Sequence, residues 1–237
     1  MNITNNRTII IIGGMGPQAS LELHRRILVA SRAHHDGSPD KFPNIIHMSL
    51  QIPEFFSSSS NEDAAISRIN EAISRIVVPK DALICMPCNT AHKLVGRTNI
   101  PSSNFVSMVE LVADRLVSLG VERVGVLASP NTISSRFFDS LLAPRNVGIV
   151  YPTESDSNVL DDLISNVISG RPVGGLMKRL SGVANNLILS GADSLLLGCT
   201  ELPLIGLDSD LPTVDCLDVL VDELVGQYYC YNRSNHE

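Results

Sequence analysis

The chain of 237 residues has no tryptophan, and aromatic residues make up only 4% of it. With so few rings, a core must rest on Ile, Leu, Val and Ala. Basic residues are also scarce: 18 Lys and Arg stand against 25 Asp and Glu, for a net charge of −7. Nucleic acid and anionic membranes both need a basic stripe, so neither is expected as the main partner. A small anionic substrate stays allowed, because one pocket can be locally positive. No apolar run is long enough to span a bilayer. The N-terminus, from Met1 to Arg7, is polar and has no apolar stretch of the signal-peptide kind. The expected compartment is therefore the cytoplasm, where thiols stay reduced. The five cysteines are odd in number and irregular in spacing, which fits free thiols better than a disulfide framework. The loop Gly13–Pro17 lacks both the G-x-G-x-x-G spacing and a Walker lysine, so it is no phosphate signature. No pyridoxal-type lysine motif is evident, and no cofactor is expected.

What is present is an α/β alternation. Apolar, β-branched runs at Thr8–Ile12, Ile45–Leu50, Ala82–Met86, Arg123–Leu127, Val147–Tyr151 and Ser194–Gly198 read as parallel strands covered on both faces. Helical periodicity covers Pro17–Ala33, Glu62–Val78, Ser107–Leu119, Ser134–Leu142, Asn158–Ser169, Val173–Leu189 and Cys216–Tyr228. Gly120, Gly170 and Gly191 follow three of these helices, where C-terminal caps are expected. The serine run Ser57–Ser60 reads as a flexible loop, with a plain surface turn favoured over a mobile lid.

The chain also echoes itself. Each half opens with strand, turn, proline and helix, at Gly13-Gly14-Met15-Gly16-Pro17 and at Ala128-Ser129-Pro130-Asn131-Thr132. Each half closes with an apolar strand, a cysteine and a small hydroxyl residue, at Cys88-Asn89-Thr90 and at Cys199-Thr200. The expected fold is α/β, with two pseudo-symmetric lobes. Each lobe is a mostly parallel sheet flanked by helices, and the active site lies in the cleft between them. Residues 1–103 form the first lobe and 104–213 the second. The C-terminal helix, 214–237, returns to the first. Ligands of parallel sheets gather beyond the carboxyl ends of the strands, where all four echoed segments fall.

Free cysteines are usually small core hydrophobes, and Cys85, Cys216 and Cys230 read that way or as surface thiols. Cys88 and Cys199 differ, because each sits where a strand hands over to a helix start, a setting that favours the thiolate. Two thiols facing one pocket resist double ionisation, so the expected state is one thiolate and one thiol. Such a pair can remove a proton from one face of a carbon and return one to the other. Met15, Gly16, Asn89, Thr90, Ser129, Asn131, Thr132, Thr200 and Glu201 are the expected substrate contacts. Helix capping is the competing reading for each hydroxyl residue. His92, four residues past Cys88, could orient the thiolate or nearby backbone, or be purely structural; Phe55 is a further supporting candidate. Cys85-x-x-Cys88 has the wrong order for a redox motif, and a zinc site would need Cys199 or Glu201 as a further ligand; no metal is expected.

The segments Ile12-Gly13-Gly14-Met15-Gly16-Pro17, Pro87-Cys88-Asn89-Thr90-Ala91-His92 and Leu197-Gly198-Cys199-Thr200-Glu201-Leu202 together resemble the aspartate/glutamate racemase family, in its aspartate branch. Glu201 carries the branch resemblance, since glutamate racemases have His there. The resemblance implies cofactor-independent racemisation of an amino acid by a homodimer, with Cys88 and Cys199 as the two acid/base residues. Two departures stand out. Phe55 occupies the place of an arginine that binds a substrate carboxylate in that branch. A lysine expected near the end of the helix before Gly170 falls at about Ile168. An unpaired side-chain carboxylate is costly to bury, so a less acidic side chain competes with aspartate and glutamate as substrate. A cysteine-dependent isomerase of a small diacid, and a catalytically silent amino-acid-binding protein, are the alternatives.

Overall fold

A computed structural model describes residues 7–55 and 60–234. Residues 57–59 of the serine run lie outside the described residues. Two wholly parallel sheets carry the chain. In the first, β1 (Thr8–Gly13) lies between β2 (Asn44–Ser49) and β3 (Leu83–Cys85). In the second, β4 (Arg123–Leu127) lies between β5 (Gly148–Val150) and β6 (Ser194–Leu197), and β7 (Thr213–Asp215) extends the far edge. The two sheets therefore share one strand order, with the third strand in sequence beside the first. The likeness reaches the edge: Phe105 makes a single parallel bridge to Ile84 of β3, as β7 pairs with β6. That bridge belongs to the first sheet, although residues 104 onward were assigned to the second lobe from sequence.

Eight α-helices are described: α1 (Pro17–Ser31), α2 (Glu62–Ser74), α3 (Met108–Ser118), α4 (Pro130–Ser134), α5 (Asp139–Leu142), α6 (Glu154–Ile168), α7 (Leu176–Leu189) and α8 (Cys216–Ser234). Strand alternation divides the apolar side chains among three cores. Ile10 and Ile12 of β1 pack with Ile69 and Ile73 of α2 on the outer face of the first sheet. Leu195 and Leu197 of β6 pack with Leu163 of α6 and Leu187 of α7 on the outer face of the second. The opposite faces meet in one shared core, where Ile9, Ile11, Val124, Val126 and Leu196 enclose side chains of α1, α3 and α8. Both helices that follow an edge strand cross over: α3 packs against α5 and β7 of the second lobe, and α8 against α1 and β1 of the first. The lobes are thereby sewn together by apolar burial, the dominant favourable contribution to folding.

Several elements depart from the sequence reading. The helix expected over Ser134–Leu142 begins earlier, with Pro130 in its first turn. It breaks at Arg136, whose φ of +52° ends α4 before α5 begins. The helices expected after Cys88 and Cys199 are 3-10 segments, Thr90–Arg97 and Leu202–Leu204. At the first, the His92 ring occupies the Cys88 carbonyl, and the His92 amide bonds Asn89 instead. At the second, the short span and Pro203 limit the ladder. β7 is a strand the sequence reading missed, being three residues long and directly preceded by Pro212. Gly120, Gly170 and Gly191 take left-handed φ values of 68°, 68° and 92° at the ends of α3, α6 and α7. Among the described residues, no helix is long and apolar enough to cross a membrane.

One ionic group ties the lobes at the shared core's edge. Arg26 of α1 donates to Glu22 at 2.8 Å, to Asp215 of β7 at 2.5 Å and to Asp218 of α8 at 2.7 Å. Burial pushes the Asp215 carboxyl up despite the guanidinium beside it. Removing Arg26 would leave that carboxylate buried and unpaired. Arg26→Ala is expected to cost about 2 kcal/mol in urea unfolding, between the exposed-pair and fully buried limits. Arg115→Ala, which breaks the exposed pair with Asp222, should cost well under about 1 kcal/mol.

Candidate active site

The carboxyl ends of β3 and β6 deliver Cys88 and Cys199 to one small cavity. Its wall includes Met15, Asn89, Thr90, Ile168, Thr200 and Glu201, and its volume is about 10 Å³. That is room for roughly one water molecule. Both cysteines are buried, at 6% and 8% exposure, and both are free thiols. Met15, Cys88 and Ile168 also line a second, more open chamber of about 130 Å³, whose wall includes Ile52, Pro53 and Phe55.

The two cysteine loops hold each other by a reciprocal pair of hydrogen bonds. Asn89, just after Cys88, donates from Nδ2 to the carbonyl of Gly198, just before Cys199, at 2.9 Å. Thr200, just after Cys199, donates from Oγ1 to the carbonyl of Pro87, just before Cys88, at 3.0 Å. All of these groups are buried, so the pairing satisfies carbonyls that water cannot reach. The first lobe's glycine loop closes the site from the side. A Cβ at Gly16 would lie 2.3 Å from Oε1 of Glu201 and 3.3 Å from Ile168, so only glycine lets this loop approach the second lobe. Gln18 in the first turn of α1 donates to the Ile168 carbonyl at 2.9 Å, adding a further link across the cleft.

Burial governs the protonation states. It pushes Cys88 up to about 12 and Cys199 well above the ordinary thiol range, and the nearby Glu201 carboxylate raises both further. The amides of Thr90 and Ala91 pull Cys88 down, and that of Glu201 pulls Cys199 down, but by less. Against the expected thiolate, desolvation outweighs the backbone dipoles and favours the protonated form at each sulfur. Cys199 donates to Oε2 of Glu201 at 3.0 Å. Burial raises the Glu201 carboxyl in turn, and its Oε1 has no hydrogen-bond partner. Oδ1 of Asn89 is likewise buried without a partner. Both acceptors lie on the wall of one cavity, where the Gly16 amide also bears on the Glu201 carboxyl, and a donor from a ligand or a water can meet them there.

Ser129, Asn131 and Thr132 lie behind this wall rather than in it. The hydroxyls of Thr90, Ser129 and Thr132 form a closed triangle at 2.9–3.2 Å, which uses the single donor hydrogen of each. Asn131 donates to the Phe55 carbonyl at 2.8 Å and accepts from Lys93 at 3.0 Å, so it braces the chamber wall. His92 does not bond the thiol. Its Nε2 accepts from the Met108 amide at 3.2 Å, which leaves Nδ1 to donate to the Cys88 carbonyl at 2.9 Å. Of the readings left open by the sequence, orienting the thiolate falls away, since both ring nitrogens bond backbone. Ile52 and Pro53 were not singled out as site residues, although they follow β2 at the strand-end position where ligands collect. Among the described residues, no three His, Cys, Asp or Glu side chains are grouped to hold a metal ion.

A family model, Asp/Glu/Hydantoin racemase, matches residues 12–224. The chain belongs to this family. An aspartate racemase from Picrophilus torridus is 25% identical, covers 94% of each chain and superposes with a TM-score of 0.76. A glutamate racemase from Francisella tularensis, solved with D-glutamate, shares the fold at 18% identity and a TM-score of 0.69, over 95% of this chain and 82% of that one. A glutamate racemase of Pseudomonas paraeruginosa is 27% identical over 125 residues, which are 52% of this chain and 46% of that protein. Within the family fold, the thiol cavity lies where the two parallel sheets present their carboxyl ends to each other.

The His92 geometry has a consequence for stability. Burial pushes the ring down from 6.5 to about 4, so it is neutral in the fold. A depressed folded value means that the contribution is full above about 6.5 and is lost as pH falls through about 4. Wild-type unfolding free energy is expected to drop by about 2 kcal/mol more than that of His92→Gln between pH 7 and pH 4, measured by urea titration.

Proposed function

We propose that the protein is a cofactor-independent amino-acid racemase in which Cys88 and Cys199 transfer the α-proton from opposite faces. The observation that carries this reading is a single one: each lobe contributes a buried thiol to the same cavity. One sulfur, having first lost its own proton to Glu201 or to solvent, takes the α-hydrogen as thiolate and becomes a thiol. The other gives its hydrogen to the opposite face and becomes the thiolate, so charge and protons balance over one turnover. The same two groups serve the reverse direction with their roles exchanged.

An α-ammonium group carries the donors that Oε1 of Glu201 and Oδ1 of Asn89 are missing. Its positive charge offsets the carboxylate that otherwise helps keep both thiols protonated. Glu201, hydrogen-bonded to Cys199, can also accept the Cys199 proton when that residue must act as base. With room for about one water between the sulfurs, substrate entry requires the lobes to part and re-form the site around the α-carbon.

In deuterium oxide, each enantiomer of a substrate should gain α-deuterium while its circular dichroism decays to zero. Cys88→Ala and Cys199→Ala should each lower racemisation by about a thousandfold or more. Near-normal turnover in either variant would rule out the two-base scheme.

Glu201 sets the pH dependence. Its charge holds the thiols high, so kcat/KM should rise as pH increases from about 6 toward the thiol range. In Glu201→Gln that charge is gone, the thiols titrate lower, and the rising limb should move to lower pH by about one unit. A limb that stays put, or moves to higher pH, contradicts this role.

A further inference from the structure

We infer that the side-chain chamber beside the thiols takes an uncharged, apolar side chain of about the size of leucine or methionine, and not a carboxylate; this rests on the racemase reading above. The chamber opens off Cys88, so a substrate whose α-carbon sits at the thiols projects its side chain into it. Its wall is built from Met15, Ile52, Pro53, Phe55 and Ile168, with Phe55 and Met15 buried. Among the described residues of either cavity wall there is no Lys, Arg or His. The charged residues that do line them, Glu54 and Glu201, are both acidic. The nearby Lys93 is held by Asn131 at 3.0 Å and Glu62 at 3.7 Å, behind the chamber wall.

A carboxylate entering this chamber would lose its water, meet no cation and approach acidic neighbours. An alkyl side chain loses nothing by desolvation and gains burial. The volume of about 130 Å³ is close to that of an apolar cavity of about 150 Å³ that holds one benzene, which fits a branched or thioether side chain. Phe55 has its carbonyl fixed by Asn131, and Ile168 has its carbonyl fixed by Gln18. The two apolar walls are thereby held in place by bonds that do not involve their side chains.

The test uses the purified full chain in deuterium oxide, with L-leucine, L-methionine, L-aspartate, L-glutamate and L-lysine as separate probes. α-Hydrogen exchange is followed by NMR, and binding of the same compounds by calorimetry. Leucine or methionine should exchange at least about a hundredfold faster, in kcat/KM, than aspartate, glutamate or lysine. A charged probe that exchanges as fast or faster overturns the assignment while leaving the racemase reading intact. No exchange on any probe, with leucine or methionine bound more tightly than aspartate, overturns the racemase reading and supports the chamber's preference. No exchange, with no such difference in binding, overturns both. Ile168→Lys supplies a second arm. It places a cation at the C-terminal end of α6, where the helix dipole tolerates it, with folding checked by circular dichroism. The aspartate-to-leucine ratio, in exchange or in binding, should rise at least about tenfold in the folded variant. An unchanged ratio overturns the assignment.

Discussion

The crossed hydrogen bonds between the cysteine loops are the constraint on which the site depends. Asn89 holds the carbonyl before Cys199, and Thr200 holds the carbonyl before Cys88. Each bond is a modest net contributor, about 1 kcal/mol. Their value is geometric: the amide or hydroxyl that follows one nucleophile fixes the backbone that precedes the other. Two strand ends from different sheets are thereby set at a single spacing, which neither lobe could impose alone. The Gly16 approach to Glu201 and the Gln18 bond to Ile168 work along the same seam. Beneath them, α3 and α8 cross between lobes, so that the seam rests on a common apolar core.

That rigidity has an electrostatic consequence. Holding the sulfurs in a dry cavity raises them far above the ordinary thiol range, and the buried Glu201 adds to the effect. Burial thus favours the neutral thiol at both positions. The proposed chemistry begins when a cationic group enters and meets the unsatisfied oxygens of Glu201 and Asn89.

Much of this was legible in the residues. Parallel strands buried on both faces read as short continuous apolar runs, and the six expected strands all formed within a residue or two of their expected limits. Other features were not legible. The helix after Cys88 became a 3-10 segment because a side chain, His92, takes the carbonyl an α-helix would use, and the one after Cys199 is cut short beside Pro203. The break at Arg136 depends on one left-handed residue. The three residues of β7 carry too short a pattern to stand out, and their partner β6 defines them. Ser129, Asn131 and Thr132 fell at the right strand end but turned inward to satisfy one another and the chamber wall.

The sequence by itself determined which groups are available: two cysteines in matching strand-end settings and a carboxylate two residues past the second. Those are facts of composition and local pattern, and local pattern is enough to form strands and turns. Only the tertiary structure decided that the two thiols share one cavity, that burial raises both, and that the side-chain chamber has an apolar wall. Proximity and desolvation depend on atoms brought together from distant parts of the chain, and no local pattern carries either one.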